Sequence, residues 1–224
     1  MERLFVWLGG TLFVISLAFT AWWYAVSLAR SWPLTGWAPL ATDALIFSVF
    51  ALHHSLFARA PVKAWLGSAC PARLLRPLYV WIASVLLILV LVTWQRVGGT
   101  VYEAAGWRAL ALGTVQVAGV WLIALSVRAI DPLELAGIRP GHGSAALQVT
   151  GPYRLVRHPL YLGWMLIVFG AARLTGDRVA FAAISSFYLV VAIPWEERSL
   201  EQTFGESYAR YRKLVRWRVV PYVY

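Results

Sequence analysis

Residues 4–28 read LFVWLGGTLFVISLAFTAWWYAVSL, an apolar run without a charged side chain. A membrane-spanning helix needs about 20 mostly apolar residues, and this run exceeds that. No small-residue cleavage site follows it, so it reads as a retained helix and not as a removed leader. Five further apolar runs occupy residues 42–57, 74–94, 107–127, 160–172 and 179–195. Arg76-Pro77 interrupts the third run early, and Pro159 stands where the first turn of a helix accepts proline. The pattern predicts an all-α fold: a polytopic transmembrane helix bundle of about six spans.

Composition agrees. Of 224 residues, 60% are apolar and 13% charged, about half the charged share of a soluble domain. The 13 Trp and 10 Tyr suit side chains that gather at membrane–water interfaces. The net charge of +10 would suggest nucleic acid in a soluble protein. With no soluble basic domain present, the charge belongs instead in loops facing anionic headgroups. Cys70 is the single cysteine, which excludes an intrachain disulfide and a cysteine metal cluster. No metal site is expected.

The loops fix an orientation. Arg59, Lys63, Arg73 and Arg76 lie in one loop; Arg128, Arg139, Arg154 and Arg157 lie in another; Arg198, Arg210, Arg212, Lys213, Arg216 and Arg218 lie in the tail. The alternate loops are poorer in Lys and Arg, so the positive-inside rule puts both termini in the cytoplasm of a bacterial inner membrane. In the tail, Leu200, Phe204, Tyr208, Tyr211 and Val215 recur at three- and four-residue spacing. That spacing predicts an amphipathic cytoplasmic helix, interrupted or bent at Gly205 and closed off by Pro221. Gly141-His142-Gly143-Ser144 follows no strand and is expected to be a flexible connector.

Polar residues at the ends of spans are costly to keep and mark candidate sites. With this orientation His53, His54, Ser55, Arg128, Asp131, Arg157, His158, Glu196 and Glu197 all fall on the cytoplasmic side. The outer side has Asp43, Glu103, Asp177 and a few arginines. Each group also has a plainer reading. The histidine pair suits a hydrogen-bonded interface, and Glu196-Glu197 suits carboxylates opening a tail helix at its positive dipole end.

One segment narrows the choice. Gly151-Pro152-Tyr153-Arg154-Leu155-Val156-Arg157-His158-Pro159-Leu160-Tyr161-Leu162-Gly163 is followed by Glu196-Glu197-Arg198-Ser199-Leu200, Phe204-Gly205, Tyr208 and Tyr211. This resembles the isoprenylcysteine carboxyl methyltransferase-like superfamily of integral membrane methyltransferases, in motif order and over roughly the last third of the chain. Upstream, His53-His54-Ser55 and Asp131 with Leu135-Ala136-Gly137-Ile138-Arg139 are similar to the NnrU and methanethiol S-methyltransferase branch, with His53 where that branch carries Gln.

The resemblance implies a single membrane domain over residues 1–224: extra N-terminal helices over 1–58, core helices over 74–195, and a tail over 196–224 that covers the cofactor. It implies S-adenosylmethionine bound at the cytoplasmic ends of the last two spans, without a Rossmann sheet. The implied cofactor residues are Tyr153, His158, Pro159, Tyr161, Gly163, Glu196, Glu197, Tyr208 and Tyr211; the implied catalytic residues are His54, Arg157 and His158. Glu196 or Glu197 would pair the cofactor ammonium, and Arg157 or backbone N–H groups would hold its carboxylate. Tyr208 and Tyr211 would cover the sulfonium, favoured by cation–π attraction.

The acceptor stays open among a thiol, an isoprenylcysteine-type carboxylate and a lipid amine. A protic acceptor needs a base, for which His53, His54 and His158 are candidates. Two other functions compete. A nicotinamide-dependent lipid double-bond reductase would usually have more helices, and a non-enzymatic accessory protein or transporter would place charges at mid-span.

Overall fold

A computed structural model describes residues 1–57, 59–139 and 147–224. The connector expected at Gly141–Ser144 lies outside them. The apolar runs are helices: α1 (Glu2–Trp22), continued by a π-helical turn at Trp23–Ser27, then α2 (Ala38–Phe57), α3 (Ala60–Ala69) and α4 (Ala72–Thr93). After strand β1 (Thr100–Glu103) come α5 (Gly106–Ile130), the single turn α6 (Pro132–Leu135), α7 (Pro159–Phe169), strand β2 (Arg173–Thr175), α8 (Gly176–Phe204) and α9 (Glu206–Leu214). Among the described residues, five helices are long and apolar enough to cross a membrane: Glu2–Ser27, Ala38–Phe57, Ala72–Thr93, Gly106–Ile130 and Gly176–Phe204. Side chains such as Val117, Trp121 and Leu110 are exposed along them, as a lipid-facing surface requires.

Contacts divide the chain into two compact units. The first holds Met1–Gly99, a stretch beginning at Pro132, and the corner Thr175–Asp177; the second holds Thr100–Asp131, a stretch ending at Leu174, and Arg178–Tyr224.

In the first unit α1 and α2 pack on α4. Gly9 lets α1 approach closely, since a Cβ there would stand 2.7 Å from Trp81 Nε1. Trp81 stacks on Phe5 and donates its indole N–H to the Phe5 carbonyl at 3.0 Å. Of the three acids read from sequence as outer-side charges, Asp43 and Asp177 are buried amide acceptors, while Glu103 is exposed. Asp43 takes the Gln95 N–H at 2.8 Å, and Asp177 takes those of Val97 at 2.9 Å and Gly98 at 3.2 Å. Gly98 and Gly99 make this turn in the left-handed region, at φ 72° and 76°.

In the second unit α5 crosses α7 at paired glycines. A Cβ on Gly163 would stand 2.7 Å from Ile123 Cγ1 and 2.9 Å from the Gly119 carbonyl oxygen. Small residues at such a crossing let helix backbones meet within a membrane.

Two expectations need correction here. The fifth run is not a full helical span: α7 has 11 residues, about 16 Å of helix against a core of about 30 Å. It stops at Gly170, where an added Cβ would meet Val115 at 3.0 Å and Gln116 at 3.1 Å, and the chain goes on extended into β2. That segment pairs antiparallel with β1, bracketed by Ala104 N–H to the Ala172 carbonyl at 2.8 Å and Gly176 N–H to the Gly99 carbonyl at 3.0 Å. The pairing supplies the hydrogen bonds that extended backbone needs. The other correction is at the opposite end. Helix α8 does not stop near Trp195 but passes through Pro194 to Phe204, so Glu196 and Glu197 lie inside a helix and not at the start of a separate one. The tail does break at Gly205, with φ 51°.

Gly163→Val should lower thermal stability by about 1–3 kcal/mol through overpacking against α5. Gly113→Ala, whose new methyl meets nothing within 4 Å, should leave stability unchanged or slightly raised. Thermal unfolding in detergent, followed by tryptophan fluorescence, checks both.

Candidate active site

The start of α7 is built by proline. His158 precedes Pro159, which biases it away from helical backbone; it sits at φ −122°, ψ 65° as the N-cap residue. Pro159 then opens the helix, where its missing N–H costs nothing. This extended approach lets residues 157 and 158 pair with the tail. Arg157 N–H donates to the Trp217 carbonyl at 2.9 Å and His158 N–H to the Arg218 carbonyl at 2.8 Å.

The side chains fasten the same three segments. Arg157 Nε donates to Glu197 Oε1 at 2.7 Å, with both side chains 6% exposed. Arg157 Nη1 donates to the carbonyls of Val215 at 2.8 Å and Arg216 at 2.7 Å. Arg218 Nε donates to the second Glu197 oxygen at 3.2 Å. A buried carboxylate is tolerable only when its lone pairs are filled in this way.

Glu196 is placed differently. Its side chain is 44% exposed, and among the described residues no arginine or lysine pairs with it. Tyr161 donates its hydroxyl to Glu196 Oε2 at 2.6 Å. His158 lies between the two acids, Nδ1 3.5 Å from Glu196 and Nε2 3.5 Å from Glu197, and stacks on Tyr161 with ring centroids 5.2 Å apart. The three-residue spacing of His158 and Tyr161 puts them on one helix face.

Helix α9 folds back over this end. Tyr208, Tyr211 and Val215 form a buried cluster with Tyr153, packed against Ala129 and Ile130 of α5 and against Leu200 and Phe204 of α8. Tyr211 donates its hydroxyl to the Tyr153 carbonyl at 2.7 Å. Burial pushes the Tyr211 phenol up to about 12, with Arg157 opposing and Glu197 adding to the rise, and burial likewise raises Tyr153 and Tyr208. All three phenols therefore stay protonated at neutral pH and serve as donors, not bases. Tyr208 Oη and His158 Nε2 are both buried on the side of the Glu197 carboxylate.

The second unit thus brings together Tyr153, Arg157, His158, Tyr161, Glu196, Glu197, Tyr208 and Tyr211, with Pro159 at the head of α7. Gly163 faces α5. His54 belongs to the first unit, exposed on α2 beside Phe50 and Tyr79. Arg218 was absent from the sequence-based set. Among the many tail arginines only its place in the apolar stretch Trp217–Pro221 sets it apart.

The chain is similar in sequence to known proteins. The family described as phospholipid methyltransferase matches residues 107–207. Methanethiol S-methyltransferase 2 of Bradyrhizobium diazoefficiens is 32% identical over 185 residues, covering 79% of this chain and 71% of that protein. Methanethiol S-methyltransferase of Pseudomonas deceptionensis is 31% identical over 196 residues, covering 83% and 72%. A shorter match, 33% over 82 residues, joins 35% of this chain to 22% of Delta(14)-sterol reductase of Arabidopsis thaliana. No solved structure matches. Fold and kinship define an integral membrane methyltransferase. The chain belongs to the isoprenylcysteine carboxyl methyltransferase-like superfamily, in its methanethiol S-methyltransferase branch.

The two acids should separate in stability. Glu197→Gln leaves Arg157 buried without its charge partner and should cost about 3–5 kcal/mol. Glu196→Gln, half-exposed, should stay within about 0.5 kcal/mol. Paired thermal unfolding curves decide it; equal losses would show that Glu197 is not the clasp.

Proposed function

We propose that this enzyme transfers the methyl group of S-adenosylmethionine to a small thiol at the cytoplasmic face of a bacterial inner membrane. The observation that carries the cofactor assignment is the open Glu196 carboxylate beside a neutralised Glu197. The thiol assignment draws on the relatives, whose names specify methanethiol. The face is argued from the excess of Lys and Arg in the loops and tail around the site.

The residues fit the cofactor. Glu196 accepts an ammonium without an arginine in competition. Arg157 commits Nε and Nη1 to the protein, and its Nη2 is left to hold a carboxylate in a charge-assisted bond. The stacked His158 and Tyr161 rings give a flat wall. When bound, S-adenosylmethionine supplies an electrophilic methyl on a sulfonium. The protein's share is then positioning and exclusion of water, which an in-line displacement rewards. A thiol must also lose its proton. The phenols are excluded as bases by their raised pKa values, which leaves His158 among the residues gathered here.

Calorimetric titration of the detergent-purified protein with S-adenosylmethionine tests the cofactor reading. The wild type should bind, and Glu196→Gln should weaken binding about tenfold or more, the worth of one charged hydrogen bond. Membranes given labelled S-adenosylmethionine and methanethiol should form labelled dimethyl sulfide. A well-folded sample that binds no cofactor would overturn the proposal.

A further inference from the structure

At the end of α5 away from the tyrosine cluster, the second unit opens a cavity of about 410 Å³. That volume falls within the range of about 300–1,000 Å³ usual for small-molecule sites. One wall is β1, with Tyr102 and Glu103; the other is the first two turns of α5, with Trp107, Arg108, Ala111 and Leu112. The strand wall is pinned. Tyr102 donates its hydroxyl to the Ala171 carbonyl at 3.0 Å, and the Ala104 N–H donates to the Ala172 carbonyl at 2.8 Å. On the helix wall, Trp107 and Ala111 stand four residues apart, as do Arg108 and Leu112, so they share one face.

The cavity sits at the depth of lipid headgroups. The α5 span begins at Gly106, and the exposed Trp107 in its first turn is a side chain that prefers the membrane–water interface. Leu110, Val117 and Trp121 carry an exposed apolar surface onward along the same helix. Two charged side chains line the cavity. Arg108 lies 5.6 Å from the centre of the Trp107 ring and pairs with no carboxylate among the described residues. Glu103, on the other wall, meets Arg173 at 3.6 Å with its own side chain 61% exposed. One cation and one carboxylate complement a zwitterion. A headgroup with a phosphate and no cation would answer Arg108 and oppose Glu103. A choline headgroup has no N–H to donate to the carboxylate. A primary ammonium beside a phosphate satisfies both side chains.

We propose that this cavity binds a glycerophospholipid with a primary-ammonium headgroup. Arg108 takes the phosphate, Glu103 takes the ammonium, and the acyl chains leave along the exposed apolar face of α5. The lipid is held and not methylated. From Arg108 to Ile130, which packs on the cluster of Tyr208 and Tyr211, α5 rises about 33 Å. A lipid bound there stabilises the folded protein by mass action. The site is independent of the cofactor and of the thiol.

The test uses the full-length protein, delipidated in detergent. Phosphatidylethanolamine, phosphatidylcholine and phosphatidylglycerol with matched acyl chains are added in turn, and binding is read by native mass spectrometry and thermal unfolding. The wild type should hold one phosphatidylethanolamine about tenfold more tightly than either other lipid, the worth of one charged hydrogen bond, and should unfold at a higher temperature in its presence. Glu103→Gln should abolish that preference and leave phosphatidylcholine binding unchanged. Arg108→Gln should weaken all three lipids, and Arg108→Lys, which keeps the charge, should restore most of the binding. Both positions are exposed, so the unfolding temperature without lipid should stay at the wild-type value. Equal binding of the three lipids by the wild type, a preference for phosphatidylglycerol, or a preference for phosphatidylethanolamine that survives Glu103→Gln overturns the proposal. Labelled methyl appearing on phosphatidylethanolamine overturns it too.

Discussion

The buried pair Arg157–Glu197 holds the start of α7, the C-terminal half of α8 and the tail together. At 2.7 Å and with both side chains 6% exposed, it carries a desolvation penalty that attraction alone does not offset. The penalty is met because nearly every remaining donor and acceptor is filled. Arg157 binds two tail carbonyls, and Glu197 receives a second arginine, Arg218. Three stretches far apart in sequence, around residues 157, 197 and 215–218, are thereby fixed to one point.

Two consequences follow from that fixation. Thr175 runs directly into Gly176, so the stretch 157–175 must cover the same distance as α8 from Gly176 to Glu197, about 31 Å of helix. An eleven-residue α7 and an extended segment paired with β1 make up that length. The fifth apolar run is thus a composite of a short helix and a paired extended segment. The other consequence is electrostatic. Successive helix residues point about 100° apart, so locking Glu197 inward turns Glu196 outward, where Tyr161 and His158 meet it. One acid serves the fold, and its neighbour remains open for chemistry.

Much of this was legible in the sequence, for identifiable reasons. Apolar runs and scarce charge fixed the membrane class, and the runs at 4–28, 42–57, 74–94 and 107–127 are the helices α1, α2, α4 and α5 to within a few residues. Hydropathy counts apolar residues but is blind to a packing stop such as Gly170, so α7 was read too long. Hydropathy also ends a run where charge begins, so α8 was read as stopping at Trp195, although the helix carries Glu196 and Glu197 and continues to Phe204. The motif from Gly151 to Tyr211 picked out residues that the fold gathers around the start of α7, yet it left Glu196 and Glu197 equivalent. Only the position of Arg157 in space distinguishes them. The same holds for His53 and His54, adjacent in sequence and different in burial.

A structure with S-adenosylhomocysteine bound tests the central claim most directly. The account predicts its ammonium within hydrogen-bond reach of the Glu196 carboxylate, with the Arg157–Glu197 pair intact beneath it. An ammonium on Glu197 with Arg157 displaced, or a ligand bound away from the start of α7, would contradict it.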